Sequence, residues 1–178
     1  MKILYHYFEY KFLKLGILKN GDYVTQILFL RGRDDLNYAI ESKKWLNNKT
    51  SENGKYLVDL DENDKGFMDI DQQLTGYLDG KLKKFDIPYT LNKSSFIAKV
   101  LKETSNIPYG TIMTYKEIAF KIGNPNSYRA VGNALASNPL PIIIPCHRVI
   151  KSDGSIGGFG GTPELKRKLL LHEGVQVI

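Results

Sequence analysis

Cysteine is nearly absent from the chain: Cys146 is the only one among 178 residues. A single cysteine can form neither a disulfide within the chain nor a metal site of several thiolates, which favours a reducing compartment. Three histidines and one cysteine, widely spaced, give no metal-ligand spacing, so we expect no metal. No apolar run approaches the length of a membrane span, and the N-terminus lacks the pattern of a signal peptide. We therefore expect a soluble cytoplasmic protein, or a nuclear one if the source is a eukaryote.

Acidic residues are scarce in the second half of the chain. Residues 91–178 carry 5 Asp and Glu against 11 Lys and Arg, whereas residues 1–90 carry 14 of each. The whole net charge of +6 therefore lies in the second half, which indicates a surface that meets a polyanion there. A solvated basic face without a partner has the same composition. The 42% hydrophobic and 25% charged residues are ordinary globular values and exclude disordered, collagen-like and coiled-coil classes.

The first half alternates β-like and helical patterns, which predicts an N-terminal α/β domain over residues 1–80. The pattern predicts strands at about 2–9, 12–18, 23–30 and 56–60, and helices starting at Asp34 or Asp35 and spanning about 69–78. In the first helix, Leu36, Ala39 and Ile40 share a face. Asn20 and Gly21 suit the positive φ angles of a type I′ hairpin turn. Residues 81–92 lack a helical period and contain Pro88, so they read as an ordered linker.

The second domain, residues 93–178, shows short helical segments between turns. A helix starts at Ser94 or Ser95, Thr114 caps a helix over 115–122, and Asn126 or Ser127 caps one over 128–137. Two short helices joined by a glycine-containing turn are the layout of a helix-turn-helix, and equally of any helical hairpin. The second of these helices carries small residues that favour close approach to a nucleic-acid backbone, namely Ala130, Gly132 and Ala134.

The segment before and after Cys146 offers the clearest chemistry. Residues 142–144 form a β-branched run that predicts a buried strand or extended segment ending at Pro145. A thiol beside His147 and Arg148 is placed to become a nucleophile, although a buried structural cysteine is the commoner fate of a lone cysteine. His147 needs a partner to fix its tautomer if it is to act as a base, and acidic residues are few in this half of the chain. Glu173 at the end of the last helix is a candidate, and a solvated glutamate there is the alternative.

These residues resemble the O6-alkylguanine-DNA alkyltransferases, also called methylated-DNA–protein-cysteine methyltransferases. The likeness rests on IPYGTIMTY (107–115), RAVGNALASNP (129–139), IPCHRVI (144–150) and GGFGG with KRKLLLHEG (157–174). It implies a ribonuclease-H-like α/β N-terminal domain and a mainly helical, winged helix-turn-helix-like second domain. It also implies a monomer that binds double-stranded DNA through the minor groove. The resemblance further implies repair of O6-alkylguanine, and of O4-alkylthymine, by a single irreversible transfer to Cys146 that needs no cofactor.

The resemblance also assigns roles to individual positions. Cys146 accepts the alkyl group, Glu173 orients His147, and His147 removes the thiol proton through a water molecule. Tyr115 rotates the target phosphate and donates a proton toward the guanine, while Arg129 replaces the extruded nucleotide. The remaining assigned residues contact or support the base or the DNA: Asn138 braces the cysteine turn, Pro141 packs against the alkyl group, the backbone at Val149 and Gly160 contacts the guanine, and Phe159, Ala130 and Gly132 complete the surface.

The chain departs from the family pattern at Phe159, where many members have Tyr, and at Gly160, where some have Ser. The N-terminal domain lacks the cysteines of the zinc site that some members carry. Two other functions share part of the pattern. One is a DNA-binding regulator that uses Cys146 as an alkylation or redox sensor, and the other is a Cys-His-Glu hydrolase that turns over a small ester or amide.

Overall fold

The computed structural model of the protein describes residues 3–42, 66–91 and 94–176. It confirms the expected mixed α/β class, with helices and small sheets. The chain divides into two compact units, Met1–Thr75 with Ile87–Thr90, and Gly76–Asp86 with Leu91–Ile178. The strand predicted at 56–60 lies outside the described residues. Within the described ranges, no helix is long and apolar enough to cross a membrane.

The first unit is built on an antiparallel sheet in the order β1-β2-β3. Its strands are β1 (Ile3–Tyr10), β2 (Leu13–Asn20) and β3 (Tyr23–Phe29), and helix α1 (Arg33–Ser42) follows them. Helix α2 (Met68–Leu78) begins in this unit, and its last three residues belong to the second one. These bounds confirm the three predicted strands and both helices. The chain later returns to the sheet, where Val24 exchanges backbone hydrogen bonds with Pro88 and Thr90. The buried core of this unit includes residues of β2, where burial is continuous from Leu15 to Leu18, and Leu36 of α1.

The turn between β2 and β3 differs from the predicted one. Asn20 pairs with Tyr23, so the two central residues of the turn are Gly21 and Asp22, one residue later than expected. Only Gly21 has a positive φ, of 57°, whereas a type I′ turn requires positive φ at both central residues. The prediction of a type I′ turn centred on Asn20 and Gly21 was wrong, because strand pairing extends through Asn20.

The second unit is mainly helical and carries one two-stranded parallel sheet. In chain order it contains α3 (Ser95–Ser105), β4 (Met113–Thr114), α4 (Tyr115–Lys121), α5 (Tyr128–Ala136), a 3₁₀ turn (Cys146–Arg148), β5 (Val149–Ile150) and α6 (Pro163–His172). Met113 pairs with Val149 and Thr114 with Ile150. Helices α3, α4 and α5 pack against one another. The sheet therefore joins the start of α4 to the residues that follow the cysteine.

The two short helices begin in different ways. Thr114 caps α4 as predicted from the sequence, and together with Glu117 it forms a full capping box, which the sequence reasoning did not predict. Ser127 occupies the cap position of α5, but its hydroxyl donates to the carbonyl of Asn124 and makes no capping hydrogen bond to the helix. The turn between the helices contains Gly123, whose φ of 76° suits glycine.

The segment before the cysteine is a buried turn and not a strand. Ile142 and Ile144 are buried as expected, yet Ile142 has a φ of 77° and the N–H of Ile144 donates back to the carbonyl of Leu140 (2.8 Å). Prolines at 139, 141 and 145 remove three backbone donors from the segment. A regular ladder cannot form on so few donors, and the β-branched run closes on itself.

Candidate active site

Cys146 opens the 3₁₀ turn directly after the buried proline-rich segment, and the residue is 8% exposed. The side-chain amide of Asn138 binds the backbone of this segment through both its nitrogen and its oxygen. Its Nδ2 donates to the carbonyl of Ile144 (2.9 Å), and its Oδ1 accepts from the backbone N–H of Leu140 (3.0 Å). The N–H of Cys146 donates to the same Ile144 carbonyl (2.8 Å). The position of the thiol is therefore set by a folded turn and not by a flexible loop.

Burial dominates the electrostatics of the thiol. It raises the pKa of Cys146 above its ordinary value, because the thiolate loses hydration. A hydrogen bond from Asn138, the charge of Lys166 and nearby backbone N–H groups act in the opposite direction. Because the pKa stays raised, the group is a thiol near neutral pH, and a nucleophilic reaction requires a base to take its proton.

His147 is the adjacent basic side chain, and it is completely buried. Its Nε2 lies 2.8 Å from Oε1 of Glu173. An ionised carboxylate only accepts hydrogen bonds, so in the neutral ring Nε2 carries the proton and Nδ1 is the acceptor. Nδ1 has no hydrogen-bond partner among the described residues. Burial lowers the pKa of His147 despite the pull of Glu173, which leaves a neutral imidazole with one vacant basic nitrogen.

Glu173 is the centre of a buried network. Its Oε1 accepts from Tyr77 Oη (2.7 Å), His147 Nε2 (2.8 Å) and Arg148 Nη2 (2.9 Å). Its Oε2 accepts from Arg148 Nε (2.8 Å) and the N–H of Gly110 (3.2 Å). Burial alone would raise the Glu173 pKa, but the hydrogen bonds and charges of His147 and Arg148 lower it to about 2. The carboxylate is therefore ionised at every physiological pH.

This network answers a question that the sequence left open. Glu173 follows α6 directly, where the helix dipole disfavours a negative charge, and the sequence allowed either a solvated side chain or a buried one with a partner. The side chain is fully buried. Arg148 compensates its charge, with Nη1 tied further to the carbonyl of Ile107 (2.6 Å). Sequence reasoning named Arg148 only as a neighbour of the thiol and did not assign this role.

Lys166 is a second residue that the sequence reasoning missed. It is completely buried, and its Nζ donates to the carbonyls of Val149 (2.6 Å) and Gly158 (3.4 Å). Burial lowers the pKa of Lys166 to about 8, while the charge of Cys146 acts to raise it. Its spacing of three and four residues from the buried Leu169 and Leu170 was the available signal, because it places Lys166 on the buried face of α6.

A cavity of about 640 Å³ opens in front of Cys146. Five other residues singled out in the sequence line it: Tyr115, Arg129, Gly132, Phe159 and Gly160. The cavity thus lies between the start of α4, one face of α5 and the glycine-rich segment 157–161. Tyr115 is partly buried in its wall, and burial together with the nearby Cys146 raises the pKa of its phenol. The phenol is therefore protonated near neutral pH.

One glycine of this segment is required by geometry. Gly157 has a φ of 67°, and a Cβ there would lie 2.9 Å from Oη of Tyr115. The same phenol oxygen lies 3.4 Å from the carbonyl of Gly158, to which it donates. A side chain at 157 would displace Tyr115 from the cavity wall. The glycine cluster thus positions the tyrosine as well as leaving room in front of the thiol.

Three other residues predicted to contact the DNA or the base, Ala130, Pro141 and Val149, do not line the cavity. Ala130 is exposed on α5, Pro141 is buried in the turn before Cys146, and Val149 is completely buried with its carbonyl bound by Lys166. Ala134 is 3% exposed and packs inward. The expectation that Ala134 helps α5 approach a nucleic acid was therefore wrong, because that residue lies on the core face of the helix beside Val131 and Leu135.

Together, the fold and the site define a protein with a buried cysteine next to a His-Glu pair. The cysteine faces a cavity that residues of the short helices α4 and α5 line. Residues 95–175 match the model of the 6-O-methylguanine DNA methyltransferase DNA-binding domain. Over the whole length, the chain is similar to the crystal structure of Mycobacterium tuberculosis O6-methylguanine methyltransferase, with a TM-score of 0.76 and 31% identity. That match covers 96% of this chain and 92% of the mycobacterial one. The chain belongs to the methylated-DNA–protein-cysteine methyltransferase family.

Curated relatives match about half of the chain. The methylated-DNA–protein-cysteine methyltransferase of Methanosarcina barkeri is 49% identical over 94 residues, which are 53% of this chain and 60% of that protein. The enzyme of the same name from Rattus norvegicus is 48% identical over 85 residues, 47% of this chain and 41% of that protein. The matches thus span 60% or less of the length of these relatives. A structure of M. tuberculosis OGT in complex with DNA is similar with a TM-score of 0.77 and 33% identity.

Proposed function

We propose that the protein repairs O6-alkylguanine in double-stranded DNA by moving the alkyl group to Cys146, once per molecule. The observation that carries the proposal is the placement of the Cys146 thiol in an open cavity, with His147 and Glu173 buried directly behind it. The family membership of the chain and the DNA complex of a similar structure support it. The 11 basic against 5 acidic residues of the second half supply the matching charge.

The residues divide the reaction into a deprotonation and a displacement. Glu173 holds the Nε2–H of His147, so Nδ1 accepts the proton of Cys146 through a water molecule. The sulfur then attacks the alkyl carbon; the S–C bond forms as the bond from carbon to O6 breaks. Tyr115, which is protonated, supplies the proton that neutralises the leaving guanine. The product thioether has no easy hydrolytic exit, so the protein is consumed.

The neighbouring residues present the base. A base inside a duplex cannot reach a buried thiol and must be extruded into the cavity. Arg129, exposed on α5 at the cavity wall, is placed to fill the vacated stack, and Gly132 leaves space at the same wall. The small, exposed side chain of Ala130 lets α5 approach the DNA backbone. Asn138 braces the cysteine turn, Pro141 and Phe159 bound the alkyl group, and the backbone at Val149 and Gly160 contacts the guanine.

Finer features belong to the same proposal. We infer a winged helix-turn-helix-like domain that enters the minor groove, a ribonuclease-H-like N-terminal domain, domain limits at residues 80 and 93, and a monomer in the cytoplasm. The parallel pairing of β4 with β5 and the α4-turn-α5 arrangement support the winged description. The three-stranded antiparallel sheet with α1 supports the N-terminal one.

The decisive experiment weighs the intact protein after incubation with a duplex that contains one O6-methylguanine. We expect the mass of one methyl group to be added to the wild type and none to Cys146→Ser. The matched control is the same duplex with unmodified guanine, which should add nothing. Tight binding to the modified duplex without a mass change would refute transfer and favour a sensor, and repeated turnover of a small ester would favour a hydrolase.

A further inference from the structure

The hydroxyl of Tyr77 makes the shortest contact to Glu173. Tyr77 lies at the end of α2, within the second compact unit, and is 1% exposed. Its Oη donates to Oε1 of Glu173 at 2.7 Å, the same oxygen that accepts from Nε2 of His147. The rest of Tyr77 is held independently, since its ring packs edge-on against Tyr109 and His172 and its carbonyl accepts from Nε2 of His172 (2.8 Å). Removing the hydroxyl alone should leave the ring in place.

The position of this hydroxyl has an electrostatic consequence. A carboxylate oxygen that accepts several hydrogen bonds is a weaker partner for an imidazolium, because each donor disperses part of its negative charge. Oε1 accepts from three donors, and Arg148 contributes a full positive charge beside it. Other ionisable groups around the pair are Lys166, which also disfavours a charged His147, the thiol of Cys146 next in the chain, and the phenol of Tyr109, whose pKa the charge of Glu173 helps to raise.

The tyrosine also keeps its proton across the working range. Burial and then the charge of Glu173 raise the pKa of Tyr77 far above its usual value, so the hydroxyl is a donor at every pH of interest. The neighbouring Tyr109 differs, since its hydroxyl donates to the carbonyl of His172 (3.1 Å) and does not reach Glu173. The two tyrosines are thus a natural pair for comparison, alike in type and location and different in what they hold.

We propose that Tyr77 is a positioning residue of the alkyl transfer, whose hydroxyl holds the Glu173 carboxylate so that His147 stays neutral and ready to accept the thiol proton. The inference rests on the proposed function, because it acts through the path from Cys146 to His147. Tyr77 makes no hydrogen bond to the Cys146 thiol and does not line the cavity proposed for the guanine. Its effect therefore belongs to the protonation state of His147 and should appear in the pH dependence of the reaction.

The test is Tyr77→Phe with Tyr109→Phe as the matched control, both in the full chain. The readout is the rate at which Cys146 is alkylated by free O6-benzylguanine between pH 5 and 9, because a free base needs no extrusion. In Tyr77→Phe we expect the fall of the alkylation rate at low pH, the acid limb of the pH–rate profile, to begin about one pH unit higher than in the wild type. The rate should then be about 3-fold lower at pH 6 and close to the wild-type rate at pH 8. Tyr109→Phe should keep the wild-type profile.

A second measurement does not depend on alkylation. An NMR titration of the His147 ring should show a higher pKa in Tyr77→Phe than in the wild type. An unchanged limb and an unchanged His147 pKa would overturn the proposal, and so would a rate lowered equally at all pH values, which indicates only a structural role. If the wild type itself is not alkylated, the proposed function fails, whereas an alkylated wild type with an unshifted variant defeats the Tyr77 inference alone.

Discussion

Arg148 is the residue that makes a buried carboxylate stable at the end of α6. Its Nε and Nη2 donate to both oxygens of Glu173, and its Nη1 donates to the carbonyl of Ile107. This two-pronged contact gives each carboxylate oxygen of Glu173 a hydrogen bond from Arg148, and Oε1 still accepts a further hydrogen bond from His147. A buried pair of this kind need not add net stability, but removing one partner leaves an uncompensated charge. The pair therefore serves chiefly to keep Glu173 ionised and fixed.

Substitution of Lys166 measures how strongly a buried positive charge favours the thiolate form of Cys146. We expect Lys166→Met to raise the Cys146 pKa by about one unit and to slow its alkylation about 10-fold near neutral pH, because the variant loses the positive charge that favours the thiolate. The pKa is measured as the pH dependence of the reaction with iodoacetamide. Lys168→Met is the control, since Lys168 lies exposed on the same helix. Identical titration curves for all three proteins would contradict this role.

Arg129 should matter only when the base must leave a duplex. Extrusion requires a few kcal/mol, so loss of the side chain that fills the gap should slow repair of duplex O6-methylguanine about tenfold or more. The reaction of Arg129→Ala with free O6-benzylguanine should remain near the wild-type rate. Both rates come from intact-protein mass spectrometry. Lys99→Ala removes one positive charge from an exposed site on α3 and serves as the charge-matched control. Equal losses on both substrates would refute the assigned role.

At the scale of elements, the start of α4 matters because it places Tyr115 in the cavity wall. Thr114 is both the last residue of β4 and the cap of α4, so one residue joins the parallel sheet to the helix. Its Oγ1 accepts from the N–H of Glu117 (3.2 Å), and its own N–H donates to the Glu117 carboxylate (2.6 Å). The direction of the helix is thus defined at its first residue, which is Tyr115.

We expect Thr114→Ala to lower the free energy of unfolding by about 1 kcal/mol, because it removes the capping hydrogen bond of α4. Ser94→Ala is the matched control, since Ser94 caps α3 by position but makes no side-chain capping bond. Urea denaturation followed by circular dichroism gives both values. A loss as large in Ser94→Ala as in Thr114→Ala would show that the capping contact is not the cause.

Helices and hairpin strands were predictable because their signals are local. The spacing of apolar residues, the threonine cap and the turn glycines lie within one element, so the predicted segments agree with the observed ones to within one or two residues at their ends. The failures have tertiary or competing causes. Residues 142–144 have a strand-like composition, but the surrounding prolines prevent pairing. Ala134 was predicted to face a nucleic acid from α5, but helix packing buries it in the core.

At the scale of the whole molecule, the uneven charge and the buried ionic network have opposite consequences. The excess of basic residues after residue 91 lies with the cavity in one half of the chain and favours a polyanionic partner. The network around Glu173, in contrast, is withdrawn from solvent, with the carboxylate and His147 completely buried. Salt should therefore weaken binding to DNA while leaving the internal network largely unscreened.

The same network predicts how stability responds to acid. The pKa of Glu173 is about 2 in the folded protein and near 4.5 when unfolded, so its contribution is complete above about pH 4.5 and is lost as the pH falls toward 2. The free energy of unfolding, measured with urea between pH 7 and 2.5, should drop across this window. Glu173→Gln should be less stable than the wild type at pH 7 and show a smaller drop across this window. A wild-type slope in Glu173→Gln would contradict the assignment.

The sequence by itself determined the helices and the hairpin strands, the single cysteine nucleophile and the family resemblance, because periodicity, composition and contiguous motifs such as IPCHRVI are properties of short stretches. It also placed His147 beside Cys146 and made Glu173 a candidate partner. Only the tertiary structure decided that Glu173 is buried, that Arg148 neutralises it, and that Tyr77, 96 residues away in the chain, completes it. The physical reason is that a buried charge depends on every donor packed around it, and packing brings together residues that no local pattern relates.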